Sequence, residues 1–219
     1  MNRSTRIAII LVSAVTILAP ILLVIWQSFL DGPFFARNVH RTLGAYQFVF
    51  EDPDFYRALG NSVLVAGGMT LIAVPVGSLL AFLLVRTDLP GRRWIEPLIL
   101  TPMFISSIVL AFGFVIAFGP VGIVSLWVKR HTGGLPWDIY SRTSLILVAG
   151  LTHAPHVFLY AATALRSLGS DVEEAARSTG AGPLRVALTV SLPMIRPALL
   201  YSAVLVFFLG FEQIGRAHV

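Results

Sequence analysis

The sequence predicts an all-α, polytopic transmembrane helical bundle, and three observations predict it. Hydrophobic residues make up 56% of the 219 and charged residues 12%, with a mean hydropathy of +0.82. Soluble domains carry about 25% charged residues, so half that fraction leaves too little polar surface to coat a globule. Five stretches hold roughly the 20 mostly apolar residues that a helix needs to cross a ~30 Å hydrocarbon core. Those stretches are continuously apolar and do not alternate, which argues against barrel strands.

The first span is 7–26. Arg3 and Arg6 precede it as they would in a signal peptide, but the apolar core is longer than a signal's, and no small-x-small cleavage site follows. An uncleaved span results. Segment 27–61 is long and mixed. The run AYQFVFEDPDFYRALGNS, broken at Asp52-Pro53-Asp54, reads either as short interfacial helices with Asn61 capping the second span, or as a solvated loop. The second span, 62–85, carries Ala73, Gly77 and Ala81 at four-residue spacing, with Ser78 beside them. This stripe of small residues serves a helix-crossing seam or a hinge, and Pro75 is expected to kink the helix.

The third span is 97–118, with Thr101, Ser106 and Ser107 as its polar groups. Segment 119–142 is punctuated by glycine and proline. Residues 123–128 there are expected to dip to the interface, with Trp127 and Trp137 at headgroup level. The fourth span, 144–165, contains His153 and His156, which share a helix face across Pro155. Ionisable groups in a span face the bundle interior or a polar path. The pair therefore reads as a pathway contact or as neutral interhelical hydrogen bonding. Two histidines are an incomplete metal set, so no metal site is assigned. The fifth span is 194–211, and Glu212 at its end is a further path candidate.

Cysteine is absent, which excludes disulfides and thiolate metal sites. No run of like charge is long enough for a nucleic-acid arm. With the N-terminus in the cytoplasm, Arg3, Arg6, Arg86, Arg92, Arg93, Arg166, Arg177, Arg185 and Arg196 fall inside. Arg37, Arg41, Arg57, Lys129, Arg130 and Arg142 then fall outside. That bias is modest, has the positive-inside sign, and puts segment 171–193 in the cytoplasm.

That segment, DVEEAARSTGAGPLRVALTVSLP, is the charged break between the last two spans. Ser170 and Glu173 fit a capping box, and Asp171, Glu173 and Glu174 suit the positive end of a helix dipole. Ala175 and Ala176 make a smooth surface. Gly180 is expected to stop the helix in the left-handed region, and Pro183 to restart it. Pro193 ends the second helix. The local chemistry thus gives two short helices joined by a glycine elbow.

Glu174-Ala175-Ala176, Gly180, Val190 and Leu192-Pro193 resemble, in spacing, the EAA signature of type I ABC importer permeases (MetI-like). Val190 departs from it, since isoleucine is more usual there. The resemblance covers about residues 59–213. GLTHAPHVFLYAATALRSLG and FFLGFE are most similar to the iron(III)-type permeases. It implies an N-terminal helix and periplasmic segment over 1–58 and an incomplete permease domain over 59–213, truncated after the fifth span. Residues 214–219 look like a translated sequencing adapter, and the natural chain is expected to continue beyond Gln213, with a second permease half in the same chain.

The resemblance further implies a bacterial inner-membrane importer of ferric iron, or in related branches of polyamine, thiamine or sulfate. Its partners would be a cytoplasmic ABC ATPase dimer, a periplasmic solute-binding protein, a second permease half or subunit, and membrane lipid. The EAA loop would dock in a cleft of the ATPase. No GxxxxGK[ST] phosphate loop occurs, so this chain is expected to bind no cofactor and to leave ATP to its partner. The competing class, an intramembrane enzyme, needs a nucleophile and base at matched depth. Ser106 or Ser107 near a histidine is the candidate pair.

Overall fold

A computed structural model describes residues 2–37, 39–178 and 180–213; the side chains of Ser170, Leu184, Glu212 and Gln213 are not described. The tail 214–219 lies outside the described residues. The chain divides after Gly60 into two units.

The first unit begins with α1, Arg3–Gln27, none of whose residues is buried. Continuous exposed apolar side chains suit a lipid-facing helix. Beyond it the chain folds back through an isolated bridge between Leu30 and Arg41. The amide of Gln27 holds this turn, donating to the Gly32 carbonyl at 2.8 Å and accepting from the Phe34 N–H at 2.9 Å. The guanidinium of Arg41 lies 4.8 Å from the Trp26 ring centroid. A short helix, α2, Gly44–Glu51, follows.

Asp52 ends α2 in extended backbone and accepts the Asp54 N–H at 2.9 Å, so Pro53 opens α3, Pro53–Arg86. Proline suits a first helical position because the N–H it lacks would be unpaired there. The expected break at Asp52-Pro53-Asp54 is present. Asn61, however, is no cap. The helix runs through it, and its side-chain oxygen accepts from Arg142 at 3.3 Å. Pro75 is carried inside α3 without interrupting it.

The second unit is organised around α3, α7 (Arg142–Ser167) and α11 (Arg196–Gln213). The small-residue stripe of α3 is buried: Ala73 and Ala81 are fully covered, and Gly77 is buried between them. At Gly77 the two backbones nearly touch. A Cβ there would lie 2.6 Å from the Ala154 carbonyl oxygen, 2.7 Å from Val157 Cβ and 2.9 Å from the Phe158 nitrogen. The stripe is therefore a crossing seam with α7. Met69, Ala73, Val157 and Val206 form one buried cluster of the core, and Ala81, Leu84, Phe158, Leu165 and Ile195 another.

The third span is not the single helix over 97–118 that hydropathy suggests. α4, Arg92–Leu100, gives way to a 3-10 turn at Thr101–Phe104; Ile105 and Ser106 are extended, and α5 starts at Ser107 and ends at Phe118. Pro102, which cannot donate back to Leu98, stands at this break, although a missing donor alone does not interrupt a helix, as Pro75 shows. A tight turn at Gly119–Gly122 leads into α6, Ile123–Thr132. Ser125 and Trp137 both donate to the Phe118 carbonyl, at 2.9 and 3.0 Å. Trp127 is exposed, and its ring lies against that of His131 at 4.5 Å between centroids, tilted by 37°.

Among the described residues, four stretches are long and apolar enough to cross a membrane: Arg3–Gln27, Pro53–Arg86, Ser107–Thr132 and Arg142–Ser167. A fifth results if Ala187–Met194 and Arg196–Phe211, bent by 64°, count as one.

Candidate functional site

α7 ends at Ser167, and its cap residue Leu168 is extended. Two residues later α8, Ser170–Ser178, begins. Gly180 sits at φ +86°, the left-handed elbow that the sequence calls for. A Cβ at that position would meet nothing within 4 Å, so glycine is required by backbone geometry and not by crowding. α9, Pro183–Val186, passes into one π-helical turn, Ala187–Ser191, and then into α10, Leu192–Met194. The hairpin expected from Gly180 and Pro183 is thus formed, with its second arm wound partly as a π-helix. Such turns are uncommon and frequent at functional sites.

The hairpin has two sides. Glu174, Ala175 and Gly180 are exposed, and Ala176 is half-buried. Val190 and Pro193 are half-buried, while Leu192 is 38% exposed. The opposite side carries Glu173, which is 7% exposed. The side chain of Ser170, the other half of the expected capping box, lies outside the described residues, and the carboxylate of Glu173 is engaged with the bundle. Its Oε1 accepts from the hydroxyl of the buried Ser191 at 2.7 Å and lies 2.8 Å from Nε of Arg86. That separation makes an ion pair, although the Nε–H is not aligned for a hydrogen bond. Arg177 approaches Oε2 at 4.0 Å.

Arg86 is the last residue of α3. Its Nη2 also donates to the carbonyls of Leu165 at 2.9 Å and Leu168 at 3.4 Å, where the dipole of α7 favours a cation. One guanidinium so joins the ends of α3 and α7 to α8 and, through Glu173 and Ser191, to the π-turn leading towards α11. The pair is largely desolvated, with the Arg86 side chain 14% and that of Glu173 9% exposed. Removing one partner from such a pair costs about 3–5 kcal/mol, because the other charge stays buried. Neither Arg86 nor Ser191 is evident as a site residue from sequence. The available signal was an arginine at the end of an apolar run, in a chain poor in charge.

His153 and His156 lie together on α7, rings stacked at 5.4 Å between centroids. Nδ1 of His153 contacts the Ala149 carbonyl at 2.8 Å, and Nδ1 of His156 is buried with no hydrogen-bond partner. Both line a cavity of about 250 Å³ with Thr152, Ser107 and Leu209. Pro102 and Met103 complete one wall, so the break in the third span opens onto this cavity. Irregular backbone at membrane depth is stable where it lines such a space. The side chain of Glu212 lies outside the described residues.

Comparison with known proteins decides what this architecture is. Residues 73–214 match the family described as the binding-protein-dependent transport system inner membrane component. The chain belongs to this family. The permease is 31% identical over 213 residues to the sulfate transport system permease protein CysW of Escherichia coli K12, covering 95% of this chain and 67% of that one. It is 26% identical over 167 residues to the molybdenum transport system permease protein ModB of the same organism, covering 76% and 72%. Its fold matches the crystal structure of a bacterial ABC transporter involved in the import of the acidic polysaccharide alginate, with a TM-score of 0.74 at 19% identity over 95% of this chain and 74% of that one. Permeases of this family are multi-pass membrane subunits without catalytic activity. They work with a separate ATPase subunit, a binding protein and a partner permease. The enzyme alternative is thereby set aside.

Proposed function

We propose that the hairpin spanning 170–193 is the ATPase-coupling element of this importer permease. Glu174, Ala175, Ala176 and Gly180 would meet the ATPase, and Val190, Leu192 and Pro193 would form the arm that returns to the membrane. The observation that carries this reading is the two-sidedness of α8. Glu174 and Ala175 are exposed, while the adjacent Glu173 is buried against the bundle. A helix tied down on one side and smooth on the other is built to be gripped. The N-terminus would then be cytoplasmic, and the ATP would be bound and hydrolysed by the partner, this chain holding no cofactor. Site-directed photo-cross-linking from Ala175→Cys tests the reading. Capture of the ATPase subunit is expected, and labelling by an impermeant reagent from the periplasmic side would refute it.

The histidine-lined cavity is proposed as part of the solute path, and Glu212, whose side chain lies outside the described residues, is proposed as a further residue of it. The solute is proposed to be a small inorganic ion. Resemblance of segment 150–169 to iron(III)-type permeases supports ferric iron. A second reading, an oxyanion, is favoured by the similarity to the sulfate and molybdenum permeases. Uptake of radiolabelled ferric iron against labelled sulfate and molybdate, in cells carrying the full transporter, separates the two. Accumulation of neither would overturn both.

A further inference from the structure

We infer that Arg86 is the positioning residue that transmits movement of the coupling hairpin into the membrane helices. The inference rests on the hairpin being the ATPase-docking element and names the part that makes docking useful.

A rigid-body push on α8 reaches the bundle only through stiff connections. The covalent link to α7 passes through Gly169, just beyond the helix cap at Leu168, so it can swivel. The second arm passes through a π-turn and the 64° bend before α11, and is likewise jointed. Between these two joints the one buried polar anchor of α8 among the described residues is Glu173, held by Arg86 at 2.8 Å and by Ser191 at 2.7 Å. Arg86 in turn grips the end of α7 through two carbonyls. The guanidinium is a rigid plane whose Nη2 is fixed by the α7 carbonyls and whose Nε lies in ion-pair contact with Glu173, so a displaced carboxylate pulls on a group already anchored to the bundle. Moving α8 therefore moves α3 and α7 together.

The alternative is that the cluster merely holds the fold. A test must read coupling separately from abundance and docking. The chain has no cysteine, so single reporters can be introduced cleanly. In the full transporter reconstituted in nanodiscs, Val172→Cys, on the exposed side of α8, carries a photo-cross-linker that reports docking. Ala111→Cys, on the cavity wall, reports bundle opening through its alkylation rate before and after vanadate trapping of the ATPase. The perturbations are Arg86→Gln and the double substitution Arg86→Met/Glu173→Met. The latter replaces the ion pair by apolar side chains, which buried pairs commonly tolerate without loss of stability.

The expected result is unchanged cross-linking with the vanadate-dependent change at Ala111→Cys reduced at least about fivefold, the lower bound of ordinary coupling between sites. Three results overturn the proposal. Retention of the vanadate response in the double substitution would show that the bundle follows α8 without the latch. Loss of abundance and cross-linking in parallel would make the cluster structural. Absence of cross-linking in the transporter with native Arg86 and Glu173 would remove the docking reading itself, a failure distinct from the other two.

Discussion

Gly77→Ala is the most direct test of how this permease packs. Lipid gives helices no hydrophobic reason to associate, so close backbone approach must supply the contact energy. At Gly77 a methyl group would lie 2.6 Å from one backbone atom of α7 and 2.9 Å from another, against the 3.4 Å at which ordinary contact begins. Backbone atoms cannot rotate away, so α3 and α7 must separate by about 0.8 Å at the crossing, the shortfall between those two distances. A gap of that size forfeits about a quarter to a half of each dispersion contact along the seam, and overpacking of this kind costs about 1–3 kcal/mol. Gly67 is the control. It lies in the same helix, and a Cβ there would meet nothing within 4 Å. The gain in helix propensity on going from glycine to alanine, up to about 1 kcal/mol, is common to both substitutions and cancels in their difference. Reversible unfolding in mixed micelles, followed by tryptophan fluorescence, should therefore find Gly77→Ala less stable than Gly67→Ala by about 1–3 kcal/mol. Equal stability, or the reverse order, would refute the close approach of α3 and α7.

Other substitutions separate the parts of the machine. Gly180→Val should insert normally but lose co-purifying ATPase, because a side chain in the left-handed region costs about 1–2 kcal/mol; Gly180→Asn should retain it, since asparagine adopts that region and the space is open. Glu174→Lys, at an exposed position, should leave stability within about 0.5 kcal/mol while abolishing binding-protein-stimulated ATP hydrolysis. His156→Leu should lower solute uptake while leaving photo-cross-linking to the ATPase intact, and unchanged uptake would remove the cavity from the path.

The elbow was legible because its chemistry is local. A helix with acids in its first turn, a glycine after its last and a proline to restart the next leaves few conformations open, and Gly180 at φ +86° is the outcome. The small-residue stripe was legible as a face, though whether it crosses another helix or bends was not decidable until its neighbour was known. The break at Thr101–Ser106 escaped because window-averaged hydropathy counts Pro102 as one residue in twenty and carries no record of backbone bonding. Asn61 misled because a capping side chain signals only a possible start, and Pro53 with Asp52 supplied a better one earlier.

Glu173 is the most instructive of these. Its sequence neighbourhood offers it the role of an N-terminal cap, and its spatial neighbourhood offers Ser191 and Arg86. A cap hydrogen bond contributes about 1 kcal/mol, and an exposed one competes with water. A carboxylate beside a guanidinium that is already half-satisfied by two helix-end carbonyls gains more, and its absence would leave that guanidinium buried without a counter-charge. The stronger partner therefore draws Glu173 inward. Successive helical residues differ by about 100° around the axis, so turning Glu173 to the bundle turns Glu174 and Ala175 outward. The buried pair thus marks which face of α8 a partner can reach. Register of the exposed signature and attachment to the membrane helices then meet at one residue, and a variant that frees Glu173 should loosen the grip of α8 on α3 and α7 while the packing of the hairpin's second arm still offers its outer face.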